Sequence, residues 1–324
     1  MLIGHGQAWA DFYSGFGDYE RGDYAAALAE FRPLADAGHA FAQLYMGVMY
    51  NQGYGVPKSY SQAVMWWKLS AEQDVAIAQY NLGVMYEKGE GVPRDYRAAA
   101  ERYREAAGSG IADAQIHLAG LYANGQGVTQ NYLEAAHWYR EAADEGSAEA
   151  QTGLGILYDE GLGVSQDYTT AASWYRKAAA AGYAAAQFNL GGLYAEGLGV
   201  AQDDKQAANW YRKAAEQGDA LAQYNLGLMY DEGRGVPQDD TQAVKWYRRA
   251  AEQGESSAQY NLALMYNEGV GVGRDLTRAY MWLTLVTQSG SEEAGIARDT
   301  LADSMSEEQI TEARRRADRW AATH

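Results

Sequence analysis

No cysteine occurs in the 324 residues, and proline occurs only four times. The first absence excludes a disulfide framework and thiolate chemistry, and is silent on compartment. The second, with no low-complexity run, leaves no linker that would cut the chain into domains. Histidine is scarce and scattered, at His5, His39, His117, His137 and His324, which argues against a metal site. Basic residues number 26 against 43 acidic ones, a net charge of −17. That balance argues against nucleic acid, whose phosphates demand a basic surface, and against an anionic membrane. No apolar run approaches the roughly 20 residues that span a bilayer. No Ser/His/Asp order, isolated acid pair or D-x-D-x-D-G calcium loop stands out, so no catalytic residue, cofactor or metal is expected.

Glycine, by contrast, is plentiful, and its order carries the message. Tyr80 to Tyr96 reads YNLGVMYEKGEGVPRDY, whose Gly89-x-Gly91-Val92 could be a phosphate cradle or a bend between helices. A cradle needs a preceding strand, yet Leu82, Met85 and Tyr86 recur at helical spacing, and no Gly-Lys-Ser/Thr follows. The same words return every 36 residues. Glutamine recurs from Gln43 to Gln259, tyrosine from Tyr50 to Tyr266, and the glycine pair from Gly53/Gly55 to Gly269/Gly271, seven times without an insertion. A period between 20 and 50 residues marks a repeat architecture. Seven evenly spaced phosphate sites make no chemical sense, so the loop is read as a bend.

Each unit holds two helical patterns. The first, as in Ala222 to Tyr230, places Leu226, Met229 and Tyr230 on a core stripe, with Gly227 for close approach, and stops at Gly233. The second opens at Asp95, Asn131, Asp167, Asp203, Asp239 or Asp275, or at Ser59 in the first copy. These residues accept hydrogen bonds from free helix N–H groups. Small and aromatic residues follow, as in Trp210-Tyr211 and Ala214-Ala215, before a terminal glycine. Asp74 stands where every other copy has that glycine, in a position expected to be left-handed. The six tryptophans from Trp66 to Trp282 share the period and read as a packing ladder, with Arg102 filling the one gap.

This pattern resembles the Sel-one-like repeat family of the tetratricopeptide clan, over about Gly38 to Gly290. The resemblance implies an all-α fold, a right-handed α/α solenoid superhelix of 36-residue helix-turn-helix repeats. It also implies a bacterial adaptor for other proteins whose first helices line the concave surface. Some bacterial members are cysteine-rich and linked to β-lactam binding, and nothing of that subgroup transfers to a chain without cysteine. The organisation expected is an N-terminal segment 1–11, a short capping helix pair 12–38, seven repeats 39–290 and C-terminal capping helices 291–324. In the last, Ser306 and Gln309 form a capping box, flanked by Met305 and Ile310. Arg314, Arg315, Arg316 and Arg319 are read as solvated covering of that cap. Ala8-Trp9-Ala10 before Asp11 has the small-x-small form of a signal-peptidase site without an apolar stretch ahead of it. Export to the periplasm is the expectation, with a cytoplasmic location as the alternative.

A residue that recurs in every copy answers to packing, so recognition is sought where copies differ on an exposed stripe. Positions 41, 45, 48 and 52 and their equivalents fall within about 60° on the first helix. They nominate Phe41, Tyr45, Val48, Ile77, Asn81, Val84, His117, Glu160, Asn189, Glu196, Asn225, Glu232, Asn261 and Glu268 as partner-binding residues. His117 stands where other copies carry asparagine, and reads as surface variation; His137 does likewise. The stripe is apolar at one end and acidic at the other. Its glutamates either pair with arginines such as Arg212 and Arg248 or attract a basic segment of a partner. The function expected is a non-catalytic scaffold for a protein or peptide, without nucleic acid or membrane insertion. The alternatives are a hydrolase or cell-wall-ligand binder of the β-lactam type, and a regulator of an envelope or exopolysaccharide system.

Overall fold

The computed structural model describes residues 5–323, with side chains from residue 8 onward. The side chain of His5, the whole of His324 and the first residues of the 1–11 segment lie outside that description. Among the described residues the chain is eighteen α-helices with no strand. None is long and apolar enough to cross a membrane. The helices gather into two compact units, Met1–Gln166 and Asp167–His324.

The first unit comprises α1 (His5–Glu20), α2 (Tyr24–Asp36), α3 (Ala40–Gln52), α4 (Tyr60–Ala71), α5 (Ala76–Lys88), α6 (Tyr96–Gly108), α7 (Ala112–Asn124), α8 (Tyr132–Asp144) and α9 (Ala148–Glu160). The second comprises α10 (Tyr168–Ala180), α11 (Ala184–Glu196), α12 (Asp204–Glu216), α13 (Ala220–Glu232), α14 (Asp240–Glu252), α15 (Ser256–Glu268), α16 (Leu276–Gln288), α17 (Glu292–Ala302) and α18 (Glu307–Ala321). Within each unit successive helices pack on one another up to α17, and α18 closes the second by folding back onto α16. Helix α1 crosses residue 11 without interruption and pairs with α2.

Side-chain caps set the helix starts. Asp95 accepts from the amides of Arg97 and Ala98 at 3.0 and 3.1 Å, and Asp203 does the same for Lys205 and Gln206. Each such cap satisfies donors that the helix leaves open, worth about 1 kcal/mol. Ser306 and Gln309 complete the capping box. The core follows the stripe read from sequence, with Leu118, Leu154, Leu190, Leu226 and Leu262 fully buried. Each contributes about 1.5–3 kcal/mol by leaving water. Gly91 shows what the glycine pair does: a Cβ there would lie 2.5 Å from the Tyr60 carbonyl carbon, so the loop of one repeat rests on the first turn of α4 in the preceding one.

The recurrent glutamine closes the opposite helix end. Gln223 is buried and donates from Nε2 at 3.0 Å to the Ala215 carbonyl, which also accepts from the Gly218 amide at the end of α12. Its Oε1 accepts from Gln253 Nε2 at 2.8 Å, and Gln43 and Gln187 accept from Gln73 and Gln217 in the same way. Gln115 differs. The residue in donor register is Glu145, whose carboxylate cannot donate, and Gln115 Oε1 is buried with no partner. Glu145→Gln is therefore expected to stabilise the protein by about 0.5–1.5 kcal/mol. A denaturant melt showing no gain would mean that the Gln115 carbonyl is satisfied in solution.

Asp74 does adopt the left-handed conformation, with φ 59°, the one non-glycine among the described residues to do so. Such a residue carries roughly 1 kcal/mol of strain, part of which the greater freedom of glycine in the unfolded chain offsets. Asp74→Gly is expected to raise the melting temperature slightly, and a lowered one would show that the aspartate side chain earns its place by another contact.

Candidate functional site

The nominated residues lie on the first helix of each repeat. In the first unit Phe41 and Ile77 stand in the opening turns of α3 and α5 and are 40% and 49% exposed. Val48, Asn81 and Val84 are half-buried, and Glu160 is exposed at the last position of α9. Tyr45 is not a free anchor. Its ring lies 5.4 Å from Phe16, 5.2 Å from Tyr19 and 5.4 Å from Phe31, because α1 and α2 together cover this part of α3. In exchange α1 adds two exposed rings that the stripe did not include. Trp9 lies 5.8 Å from Phe41 and 5.9 Å from Tyr13, making an aromatic patch at this end of the first unit.

His117 is more than a surface substitution. Its Nδ1 lies 3.0 Å from Glu87 Oε2, and its ring stacks on Tyr103 at 4.9 Å. The buried Tyr103 hydroxyl donates to the same carboxylate oxygen at 2.5 Å. The hydrogen bond with His117, supported by that of Tyr103 and opposed by burial, holds Glu87 below the usual carboxylate range. Burial, reinforced by Glu87, raises the Tyr103 phenol. Adjacent first helices, α5 and α7, are thus tied through one phenol of α6.

The second unit repeats the device with other residues. The Tyr247 hydroxyl donates to Asp231 at 3.1 Å, and burial followed by the Asp231 charge raises that phenol, a shift the Asn261 side chain opposes. Tyr211 is pushed up to about 12 by burial and then by Glu196. A phenol so shifted stays protonated near neutral pH and serves as a fixed donor rather than a nucleophile. Asn189, Asn225 and Asn261 are half-buried along this line, and Glu196, Glu232 and Glu268 end α11, α13 and α15, exposed to solvent.

The arginines do not neutralise those glutamates. Arg212 and Arg248 donate instead to the hydroxyls of Tyr230 and Tyr266 at 3.3 and 2.9 Å, part of a series that pairs each recurrent tyrosine with a basic residue 18 positions earlier, an arginine in every copy but that of Tyr86, which has Lys68. Glu232 reaches Arg234 at 3.5 Å, an arginine that also binds Asp204 at 3.0 Å. Glu160, Glu196 and Glu268 form no ion pair among the described residues.

Seven consecutive matches to the Sel1 repeat cover residues 40–75, 76–110, 112–147, 148–183, 184–219, 220–255 and 256–290. The chain belongs to the Sel1 repeat family. Among solved structures it is similar to c5321, described as a protective antigen present in uropathogenic Escherichia coli strains and displaying an SLR fold. The two share 35% identity and a TM-score of 0.82 over 98% of this chain and 69% of that one. A Sel1 repeat protein from Oxalobacter formigenes is 33% identical, with a TM-score of 0.74 over 92% of this chain and 87% of that one. No curated protein matches the chain. Sel1 repeats build helical solenoids that are typically non-catalytic protein-interaction scaffolds. The glycine pair, the glutamine and the arginine–tyrosine series recur with the Sel1 repeat, whereas the nominated first-helix positions differ between copies.

Proposed function

We propose that this Sel1 protein is a non-catalytic adaptor that takes a partner protein along the concave, first-helix side of its repeats. The partner is read as carrying a basic segment together with apolar anchors. The observation that supports this most is the set of glutamates at the last position of four first helices, Glu160, Glu196, Glu232 and Glu268. A negative charge there opposes the helix macrodipole by roughly 0.3–1 kcal/mol each. Three of the four have no cation beside them to offset it, so the cost is borne without a structural return. Phe41 and Ile77, with Trp9 and Tyr13, supply exposed apolar surface of the kind that anchors an interface.

Changing the four glutamates to glutamine tests the reading. Partner captured from the source cell, measured by surface plasmon resonance, is expected to associate with the variant about tenfold more slowly at low salt, with a weaker salt dependence. The melting temperature holds or rises. Normal binding combined with early melting would make the glutamates structural and end the proposal.

A further inference from the structure

The opposite side of the second unit carries a feature that its repeats do not share. Between α14, α16 and α18 lies a cavity of about 320 Å³ onto which Arg248, Arg278 and Arg316 converge. In a chain of net charge −17 such a meeting of guanidinium groups calls for a reason. Arg248 belongs to the recurrent arginine–tyrosine series, but the other two do not. The register of Arg278 is occupied by Gln62, Gln206 and Gln242 in other copies, and Arg316 comes from the closing helix.

The geometry brings the cations together rather than apart. Arg248 Nη2 and Arg278 Nη1 both donate to the Tyr266 hydroxyl, at 2.9 and 3.0 Å. Tyr266 is 2% exposed, so two positive groups share one buried neutral oxygen. Carboxylates answer only part of that charge. Asp275 reaches Arg278 through Nε at 3.3 Å, and Glu312 holds Arg316 through Nε at 2.7 Å. Both bonds occupy the inner edge of the guanidinium and leave terminal N–H groups for another acceptor. Glu252 lines the same cavity, yet no ion pair reaches Arg248 among the described residues. Met281 and Trp282 supply apolar lining.

We infer that this cavity is a binding site for a carboxylate whose apolar body lies against Met281 and Trp282. The guanidinium fork matches a planar carboxylate, and the nearby acids make the surroundings fit a single negative charge better than a phosphate dianion. Its three arginines come from second helices and the closing helix, and none of the nominated partner-binding residues lines it, so it stands or falls independently of the adaptor reading. A small aromatic or aliphatic acid and the terminal carboxylate of a polypeptide share this chemistry.

Titration calorimetry of the full chain with phenylacetate is expected to show saturable one-to-one binding, roughly millimolar for so small a ligand. Inorganic phosphate is expected to bind more weakly. Arg278→Gln, which installs the residue that other copies carry, keeps the fold by circular dichroism and weakens phenylacetate by about tenfold or more. A hexapeptide ending in phenylalanine, compared with its C-terminal amide, separates the sources. If the free acid binds at least tenfold tighter than phenylacetate, the natural ligand is a chain terminus; equal affinity marks a small acid. Absence of saturable binding, phosphate binding as tightly as phenylacetate, an unaffected Arg278→Gln variant, or acid and amide peptides binding alike would each overturn the assignment.

Discussion

Gly199→Ala is expected to destabilise the second unit by about 2–5 kcal/mol, while Gly182→Ala costs only about 1. Both glycines have positive φ, 66° and 91°. An alanine at either pays the left-handed penalty, so that term cancels in the comparison. What differs is the surroundings. At Gly182 a new Cβ meets nothing within 4 Å, whereas at Gly199 it would lie 2.2 Å from the Tyr168 carbonyl carbon and 2.3 Å from its oxygen. Those are backbone atoms in the first turn of α10, which no rotamer change can move. The loop after α11 must lift off α10, and in a solenoid that lost term is the coupling between neighbouring repeats. The urea transition followed by circular dichroism is therefore expected to shift and broaden for Gly199→Ala, and only to shift slightly for Gly182→Ala. Equal effects would mean that the loop yields freely and that the pairing of loop and helix holds nothing together.

That contrast also shows which parts of the fold the sequence made legible. Recurrence at 36 residues marked both glycines as structural and removed the phosphate reading of the loop pair to which Gly199 belongs, and the Asp, Asn and Ser caps marked where second helices begin. Asp74 betrayed its left-handed backbone by standing where every other copy has glycine. The partners across space were harder. Arg212 and Arg248 were candidates to neutralise the glutamates of the stripe on charge alone, yet the tyrosine hydroxyls take them. The constant offset of 18 residues between arginine and tyrosine was a signal that could have found this. His117 looked like a stray substitution because Glu87 and Tyr103, which receive it, lie 30 and 14 positions away on two other helices. Tyr45 was misjudged for a different reason: α1 falls outside the repeats, and no periodic pattern announced that it covers α3.

The largest coupled effect is expected in the third repeat, one of two that lack a common glycine; the seventh carries Ala263 there, with Leu283 in the register of the ring. In most copies a glycine of the first helix forms a socket for the aromatic ring of the second. A Cβ on Gly227 would sit 2.6 Å from the Tyr247 ring, and one on Gly83 would sit 2.5 Å from that of Tyr103. The third copy carries Ala119 in place of this glycine, and its ring, Tyr139, is half-buried where Tyr103 and Tyr247 are buried. The ring has moved towards α9, where Gly153 replaces the asparagine of Asn81, Asn225 and Asn261. A Cβ on Gly153 would lie 2.9 Å from Tyr139 Cε1 and Cζ. The two departures compensate one another. Gly153→Asn alone, although it restores the common residue and favours the helix, is expected to cost about 1–3 kcal/mol because Tyr139 has nowhere to go. Ala119→Gly alone loses up to about 1 kcal/mol of helix propensity. Together they let the ring return to the socket, so the double variant is expected to be more stable than Gly153→Asn, with a coupling of about 1–3 kcal/mol in a double-mutant cycle of urea melts. Additivity within about 0.5 kcal/mol would show that Tyr139 does not choose between the two sites.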